Sequence, residues 1–248
     1  MVKTQNNDKL YLNDEHFWDN FIKDGGYNTY SESVVVSNMK ANRYIYLKFK
    51  RLFDIVISVL GLVIFSPILL ITAIAIKLET KGTVMYTHNR IGLNGKLFRF
   101  YKFRSMVMNA DDILYEKLLK NEQIAMEYKT NKKLKHDPRI TKVGSFIRRT
   151  SIDELPQLLN VLKGDMSLIG NRPYMPRERD DMGEYYDDIV KTKPGMTGYW
   201  QVSGRSNHSF EKRLQMEKEY SEIFSFTMDL KIFFKTFMVI FNHEGGAR

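Results

Sequence analysis

The sequence predicts a mainly helical α+β protein of the monotopic membrane type, with a proline-broken, re-entrant membrane helix and amphipathic helices in the membrane interface. Three observations predict this class. Residues 55–76 are 22 consecutive positions without a charged side chain. Residues 83–106 carry turn residues between short β-like runs, and several later segments repeat apolar residues at helical spacing. A polar N-terminal extension, residues 1–45, is expected to precede one main domain, residues 46–248.

Composition and charge limit the classes of function. A chain of 248 residues with 43% hydrophobic residues can bury one sizeable core, and the absence of cysteine excludes a disulfide framework and a thiolate metal site. The net charge is +9; residues 1–40 hold four Lys and six Asp or Glu, a charge of −2, so the remainder carries +11. A basic body predicts an anionic partner, whether lipid headgroup, nucleotide or nucleic acid. Residues 1–40 lack the apolar core of a cleavable signal peptide.

The membrane helix is expected at about residues 52–77. At 1.5 Å per residue, its uncharged positions make about 33 Å of helix, enough to cross a bilayer. Ser66 and Pro67 lie near the middle, where proline removes a backbone hydrogen bond and bends a helix. Basic residues flank both ends, and basic flanks are retained on the cytoplasmic side. A re-entrant helix satisfies both observations, while a proline-kinked spanning helix is the alternative.

The next part of the chain is read from its turn residues and its charges. Turns are predicted within the β region at residues 89–92 and 94–95, and residues 109–133 are typical of a charged helix. The His-Asp pair before Pro138 favours a turn over a metal site, because no second His stands at ligand spacing. The acidic residues between 180 and 188 are best explained as a solvated helix face.

A short helix is predicted where acidic and basic residues are most concentrated. Leucines between residues 155 and 162 recur at i, i+3, i+4 and i+7, and a glycine after Lys163 is a helix stop. At the other end, Ser151 and Glu154 fit a capping box, and Pro156 is best tolerated in a first turn. The two adjacent carboxylates of this segment are therefore expected at a helix N-terminus.

Asp153 and Glu154 have two interpretations that spacing alone supports about equally. They stabilise the helix start by about 0.5 to 1 kcal/mol each, or the helix N-terminus binds phosphate while the carboxylates supply a nucleophile and a metal ligand. In the second case Arg148, Arg149 and Arg172 bind phosphate oxygens, although a solvated basic surface is the usual role of an arginine pair. We expect Asp153 to remain ionised, because the helix dipole and the arginines lower its pKa.

The last two segments are a loop and an amphipathic helix. Residues 193–206 contain three Gly and one Pro, as a loop that lines a pocket would, and Arg205 is a candidate phosphate or sugar contact. Tyr199 and Trp200 either stack on a ring or belong to the core. Residues 229–241 are too short and too interrupted by Lys to span, so they either lie in the membrane interface or pack on the soluble core.

From about Tyr46 to the C-terminus, the chain resembles the bacterial sugar transferases, the monotopic polyprenyl-phosphate phosphoglycosyl transferases. The similarity rests on five ordered motifs: Lys102-Phe103-Arg104-Ser105-Met106, Asp137-Pro138-Arg139-Ile140-Thr141, Asp153-Glu154-Leu155-Pro156-Gln157, Gly164-Asp165-Met166-Ser167 and Lys193-Pro194-Gly195-Met196-Thr197-Gly198. One departure is Asn171, where many relatives carry Pro before the Arg. The departure weakens the expectation of a rigid loop around Arg172.

The resemblance assigns roles to individual residues. It implies that Asp153 is a nucleophile forming a covalent aspartyl-phosphosugar intermediate, and that Glu154 acts with it in catalysis and binds Mg²⁺, with Asp165 as a further metal ligand. The substrate-binding residues that it implies, together with those proposed above, are Lys102, Arg104, Arg148, Arg149, Arg172, Arg205 and Gln201. Residues 199–205 are similar to those of relatives that handle galactose or glucose rather than N-acetylated sugars.

The activity implied by the resemblance is transfer of a hexose 1-phosphate from a UDP-sugar to undecaprenyl (polyprenyl) phosphate, with release of UMP. This is an initiating step of exopolysaccharide, capsule or glycan assembly. Residues 78–228 would be the cytoplasmic catalytic part of a sugar transferase domain at the inner membrane. The expected partners are the UDP-sugar, polyprenyl phosphate and membrane lipid, without nucleic acid, and a homo-oligomer is left open.

Two other classes of protein fit the composition. One is a membrane-tethered, non-catalytic binding protein for anionic lipid or nucleic acid. The other is a metal-dependent glycosyltransferase that moves the sugar without its phosphate. The product separates the three classes, since they release UMP, nothing and UDP respectively.

Overall fold

The computed structural model describes residues 32–131, 134–204 and 208–241. The chain divides into two units, residues 1–45 and residues 46–248. The helices are α1 (Glu32–Ile64), α2 (Ser66–Glu79), α3 (Ala110–Lys120), α4 (Glu122–Asn131), α5 (Lys142–Arg149), α6 (Gln157–Lys163), α7 (Arg179–Met182), α8 (Tyr186–Ile189), α9 (Tyr199–Val202), α10 (Phe210–Ile223) and α11 (Phe226–Phe241). The strands are β1 (Met85–Ile91), β2 (Leu97–Phe103), β3 (Ser167–Ile169) and β4 (Gly195–Thr197). The prediction of a mainly helical α+β fold is confirmed.

The predicted break in the apolar segment lies at Phe65, between α1 and α2. Pro67 stands in the first turn of α2, where its missing N–H costs least, and the Ser66 hydroxyl donates to the Val63 carbonyl at 2.7 Å. The continuous helix before the break begins at Glu32, well before residue 52, and the bounds of the membrane segment stay a prediction.

The apolar helices on either side of Phe65 are the candidates for a membrane-crossing segment. No single helix among the described residues is both long and apolar enough to cross a membrane. The pair formed by Arg43–Ile64 and Ser66–Glu79 meets the criterion of length and composition together, with a bend of 60° between its halves.

The predicted β region is a hairpin. Strands β1 and β2 pair antiparallel over their full length, with Tyr86 opposite Lys102 and Arg90 opposite Phe98. The connection turns at Asn94 and Gly95, which both have positive φ, at 55° and 75°. These are the residue types that adopt this conformation most readily, and the predicted turn is confirmed.

The predicted charged helix from residue 109 is divided into α3 and α4. The division lies at Asn121, whose side-chain oxygen accepts from the Ile124 N–H at 3.1 Å, because an asparagine can compete with the helical backbone for such a bond. The end of the predicted helix, residues 132–133, is outside the described residues. The turn at Pro138 is confirmed: Ile140 N–H donates to the Asp137 carbonyl, and the Asp137 carboxylate accepts two bonds from the Arg139 guanidinium.

The second sheet lies in the main hydrophobic core. Strands β3 and β4 run parallel, with Ser167 opposite Gly195, at such close approach that a Cβ on Gly195 would lie 2.1 Å from the Gly170 nitrogen. The main core packs around them, and its buried members are Phe100, Leu158, Val161, Met166, Leu168, Ile169, Tyr220 and Ile232. The sequence at residues 193–206 is therefore partly strand and helix rather than loop alone.

Helix α11 has one face on the core and one face exposed. Ile232 is buried, and Asp229 accepts from Lys50, Tyr46 and Tyr220, which holds α11 against α1. Phe234, Phe237 and Met238 are exposed on the same helix. Packing on the core, one of the two interpretations of this segment, is thus shown for one face, while the other face leaves the interfacial interpretation open.

Candidate active site

The two adjacent carboxylates do not lie in a capping box. Ser151 has a positive φ of 57° and makes no capping hydrogen bond, residues Ile152–Glu154 form a 3₁₀ turn, and α6 begins only at Gln157. The reason is Pro156: without an N–H it cannot donate to the carbonyl four residues earlier, and tighter bonds from Glu154 N and Leu155 N take over. The predicted capping box and the predicted α-helical start between Ser151 and Asp153 were wrong, although a 3₁₀ turn begins there.

Lys102 brings the two carboxylates together. Its ammonium on β2 donates to Glu154 Oε1 at 2.7 Å and lies 3.6 Å from Asp153 Oδ2. Asp153 is 7% exposed, whereas the Glu154 side chain is 42% exposed. One carboxylate is therefore held inside the protein, and the other faces outward beside the same cation.

The pKa of Asp153 is shifted in the direction opposite to the prediction. Burial raises the pKa of Asp153, the ammonium of Lys102 lowers it, the neighbouring charge of Glu154 raises it and Arg148 lowers it, with burial the largest effect. The sequence-based expectation counted the charges but not the loss of water. The cations beside Asp153 are what favours its ionised form.

Helix α5 carries Arg148 to this site. The residues that follow β2 are hydrogen-bonded to the residues that follow the turn at Pro138. In this contact the Thr141 N–H donates to the Ser105 carbonyl at 3.2 Å. Gly144 packs so tightly on that carbonyl that a Cβ would lie 2.0 Å from its oxygen. Two of the sequence motifs are thus in direct contact. Arg148, half-buried, is close enough to lower the pKa of Asp153, while Arg149 is exposed.

Arg104 is buried and bonded to the end of α2. Its guanidinium donates to the carbonyls of Lys81 at 2.6 Å and Thr80 at 3.0 Å, as a cation at a helix C-terminus is expected to do. Its Nε is buried without a hydrogen-bond partner among the described residues. These contacts are structural, and its role in substrate binding remains a prediction.

Asp165 follows the C-terminal end of α6, whereas Glu154 precedes the start of this helix. The role of Asp165 as a metal ligand stays a prediction. Asp165 accepts from Asn160 at 3.3 Å and acts on the pKa of Lys193. Across residues 32–131, 134–204 and 208–241, no group of three His, Cys, Asp or Glu could hold a metal ion.

Arg172 belongs to a second group of cations. Its backbone N–H donates to Glu217 Oε1 on α10 at 2.8 Å. Burial, followed by the charge of Arg172, lowers the pKa of Arg90, and the same two causes lower the pKa of Arg213. The charge of Arg172 thus acts on Arg90 and Arg213, and its predicted role beside Arg148 and Arg149 stays a prediction.

The two groups of cations meet at Phe100. The Lys102 ammonium lies 5.9 Å from the centroid of its ring, and the Arg90 guanidinium lies 5.2 Å from it. Phe100 is itself buried in the core. The hairpin therefore carries both groups in one region of the protein.

The remaining predicted contacts lie on or near α9. Trp200 is buried, and its ring packs under the Arg213 guanidinium at 4.2 Å, so the core interpretation of this aromatic is confirmed. Gln201 is half-buried, and its backbone N–H donates to the Gly198 carbonyl. Arg205 is outside the described residues.

Two cations of the second group, Arg90 and Arg213, and the carboxylate bonded beside them, Glu217, were missed by the sequence analysis. Arg90 stood in a turn signal, and the other two stand in a charged helix. Each pattern is typical of a solvated surface, so no local signal separated them from their neighbours.

A buried carboxylate among cations, beside a second group of arginines, is typical of proteins that act on phosphate compounds. The sequence profile described as bacterial sugar transferase matches residues 45–243. The chain belongs to this family.

Three relatives show the extent of the similarity. The chain is 48% identical over 201 residues to the undecaprenyl-phosphate galactose phosphotransferase of Salmonella typhimurium, covering 79% of this chain and 41% of that protein. It is 37% identical over 195 residues to the UDP-glucose:undecaprenyl-phosphate glucose-1-phosphate transferase of Escherichia coli K12, covering 75% and 39%. It is 41% identical over 200 residues to the exopolysaccharide production protein ExoY of Sinorhizobium fredii, covering 79% and 87%. The chain spans less than half the length of the first two.

Proposed function

We propose that this protein transfers a hexose 1-phosphate from a UDP-sugar to undecaprenyl (polyprenyl) phosphate and releases UMP, as an initiating step of exopolysaccharide, capsule or glycan assembly. The observation that carries the proposal is the group formed by Asp153, Glu154 and Lys102. The buried carboxylate of Asp153 lies beside the Lys102 ammonium, and the same ammonium is hydrogen-bonded to Glu154. Family membership and the names of the relatives support the classes of donor and acceptor.

Asp153 is the proposed nucleophile. One carboxylate oxygen attacks the β-phosphorus of the UDP-sugar, the bond from that phosphorus to the bridging oxygen breaks, and UMP leaves with the bonding electrons. An oxygen of polyprenyl phosphate then attacks the same phosphorus, and the bond to Asp153 breaks to restore its carboxylate. Lys102 and Arg148 are placed to bind phosphate oxygens during both steps.

The carboxylates fit a Mg²⁺ ion that is shared with the substrate. Mg²⁺ is commonly bound by one or two carboxylates plus substrate phosphates rather than by an all-protein cage. The exposed Glu154 side chain provides one such ligand, and Asp165 is proposed as a further one. When bound, the ion would neutralise charge on the pyrophosphate.

The burst of UMP tests the covalent mechanism. With UDP-sugar and Mg²⁺ but without lipid acceptor, the enzyme should release about one UMP per active site and retain label from a radioactive sugar. Asp153→Asn should abolish both, while Glu154→Gln should weaken both mainly through the metal. Asp187→Asn, which removes an exposed carboxylate away from the site, is the matched control and should behave as the wild type.

Other outcomes separate the competing functions. Release of UDP would indicate a glycosyltransferase that leaves the phosphate behind, and the absence of any nucleotide product would indicate a binding protein. UMP release that needs the acceptor, with no labelled protein, would leave the transfer reaction standing but rule out the aspartyl intermediate.

The membrane-facing surface is proposed to be the outer side of α1, α2 and α11. These helices expose large apolar side chains, which soluble surfaces rarely gather in one place; among them are Val63, Ile64, Phe65, Leu70, Ile71, Phe234 and Met238. A re-entrant arrangement at the inner membrane places the active site on the cytoplasmic face, where nucleotide sugars are available. The hexose preference is proposed from residues 199–205, and strong preference for a UDP-N-acetylhexosamine would contradict it.

A further inference from the structure

Three arginines from separate elements converge although like charges repel. Arg90 comes from β1, Arg172 follows β3 and Arg213 lies on α10. Arg90 donates to the carbonyl of Pro173, the residue after Arg172, and Glu217, which accepts from the Arg172 N–H, stands one helical turn after Arg213 on α10. These contacts bring the three residues together, and the charge of Arg172 lowers the pKa of both other arginines.

Each of the three arginine residues is held by contacts with neighbouring groups. Arg90 donates to the Pro173 carbonyl at 3.1 Å and lies over the Phe100 ring. Arg213 lies 4.2 Å from the centre of the Trp200 ring. The Arg172 backbone is bonded to Glu217. Flat guanidinium groups held on aromatic rings keep their N–H edges free to bind an anion.

The polar atoms of this cluster are incompletely satisfied. Arg90 Nε and Arg213 Nε are buried and lack hydrogen-bond partners among the described residues. The nearby carboxylates are Glu178, 3.8 Å from Arg90, and Glu217, which is 1% exposed. Two carboxylates against three arginines leave a positive excess, and buried donors without partners are costly unless a ligand supplies them.

We propose that Arg90, Arg172 and Arg213 form a phosphate-binding subsite distinct from the Asp153–Glu154 pair, with Phe100 between the two. The inference rests on the proposed function. A UDP-sugar carries a second phosphate besides the one that Asp153 attacks, and polyprenyl phosphate carries a phosphate of its own. The ligand chemistry is a phosphate group, carried either by the nucleotide or by the polyprenyl phosphate.

Binding measurements test the subsite without relying on catalysis. The affinities of UMP and of a short-chain polyprenyl phosphate are measured separately by calorimetry on the detergent-solubilised full chain, without Mg²⁺. Arg90→Gln and Arg213→Gln should each weaken one or both ligands about tenfold or more, because a charge-assisted hydrogen bond is lost. Lys212→Gln removes the same charge from an exposed neighbour on α10 and should change neither affinity by more than about twofold.

The pattern of losses identifies the source of the phosphate. Weaker binding of UMP alone assigns the subsite to the nucleotide, weaker binding of polyprenyl phosphate alone assigns it to the acceptor, and both support a shared subsite. If Arg213→Gln does not fold, Arg213→Lys keeps the charge and tests the loss of the planar fork. Unchanged affinities in folded variants at both positions would overturn the subsite, whereas failure of the UMP burst would overturn only the proposed covalent mechanism.

Discussion

Asn171 fixes the backbone that carries Arg172. Its side-chain amide donates to the Ile189 carbonyl, Thr192 Oγ1 and Ser221 Oγ, at 3.2, 3.1 and 2.6 Å, and it is 3% exposed. A network of buried hydrogen bonds therefore restrains the backbone just before Arg172. The sequence alone weakened the expectation of a rigid loop at Arg172, and these contacts supply the restraint.

Asn171→Ala should lower the free energy of unfolding by about 1 to 3 kcal/mol, because buried acceptors lose their donor. It should also weaken binding of whichever phosphate ligand the arginine subsite holds, UMP or polyprenyl phosphate, since Arg172 loses one of its anchors. Chemical denaturation in detergent measures the first effect and calorimetry the second. Asn89→Ala, at an exposed position on β1, is the control, and equal stability of the two variants would contradict the anchoring role.

Glu217 gives the fold a pH dependence of defined sign. Burial raises the pKa of Glu217 from its ordinary 4.5 to about 7, so between those pH values the folded protein holds more protons than the unfolded chain. The contribution of Glu217 to stability is therefore present at low pH and is lost as the pH rises through about 7.

Glu217→Gln should remove this dependence. Relative to the variant, the wild type should lose roughly 3 kcal/mol of unfolding free energy between pH 4.5 and pH 8, and the glutamine oxygen can still accept from the Arg172 N–H. Denaturation curves of both proteins at several pH values check the prediction. Parallel pH profiles would show that Glu217 does not titrate in this range.

At the scale of helices and strands, the sequence predicted the features that depend only on residues adjacent in the chain. The turn at Asn94-Gly95 and the break before Pro67 follow from the backbone preferences of single residues, and both were predicted. The start of α6 was not, because the capping-box pattern at Ser151 and Glu154 competes with the missing N–H of Pro156. The direction of the Asp153 pKa shift was also missed, since burial depends on packing by segments far away in the chain.

Pro67→Leu tests the bend between α1 and α2. Leucine restores an N–H that can donate to the Val63 carbonyl, which Ser66 Oγ occupies at present, so an unbroken helix becomes accessible. The variant should straighten the pair, favour a spanning orientation and lose activity through misplacement of the site. Ser66→Ala leaves Pro67 in place and should keep the bend. Full activity and unchanged accessibility of Pro67→Leu would show that Pro67 does not determine the topology.

At the scale of the molecule, the candidate site joins segments that are distant in sequence. Lys102 and Asp153 could be predicted as one site because they lie in recognisable motifs, and Arg148 because it stands shortly before Asp153 in the sequence. Arg90 and Arg213 could not, because their convergence requires the hairpin, the end of β3 and α10 to pack together. The excess of positive charge in residues 46–248 predicted an anionic partner, but only the fold divides those charges into two groups.

The re-entrant topology is the prediction that concerns the whole chain, and the absence of cysteine makes it directly testable. Ile45→Cys and Thr83→Cys place single thiols at exposed positions before and after the uncharged segment, residues 55–76. If the pair enters and returns, a membrane-impermeant thiol reagent should label both from the cytoplasmic side and neither from outside. Ile64→Cys, next to the break and 67% exposed in the absence of lipid, should resist labelling from either side because the bilayer covers it. Labelling of Ile45→Cys from outside, with Thr83→Cys still reached from the cytoplasm, would establish a kinked spanning helix instead.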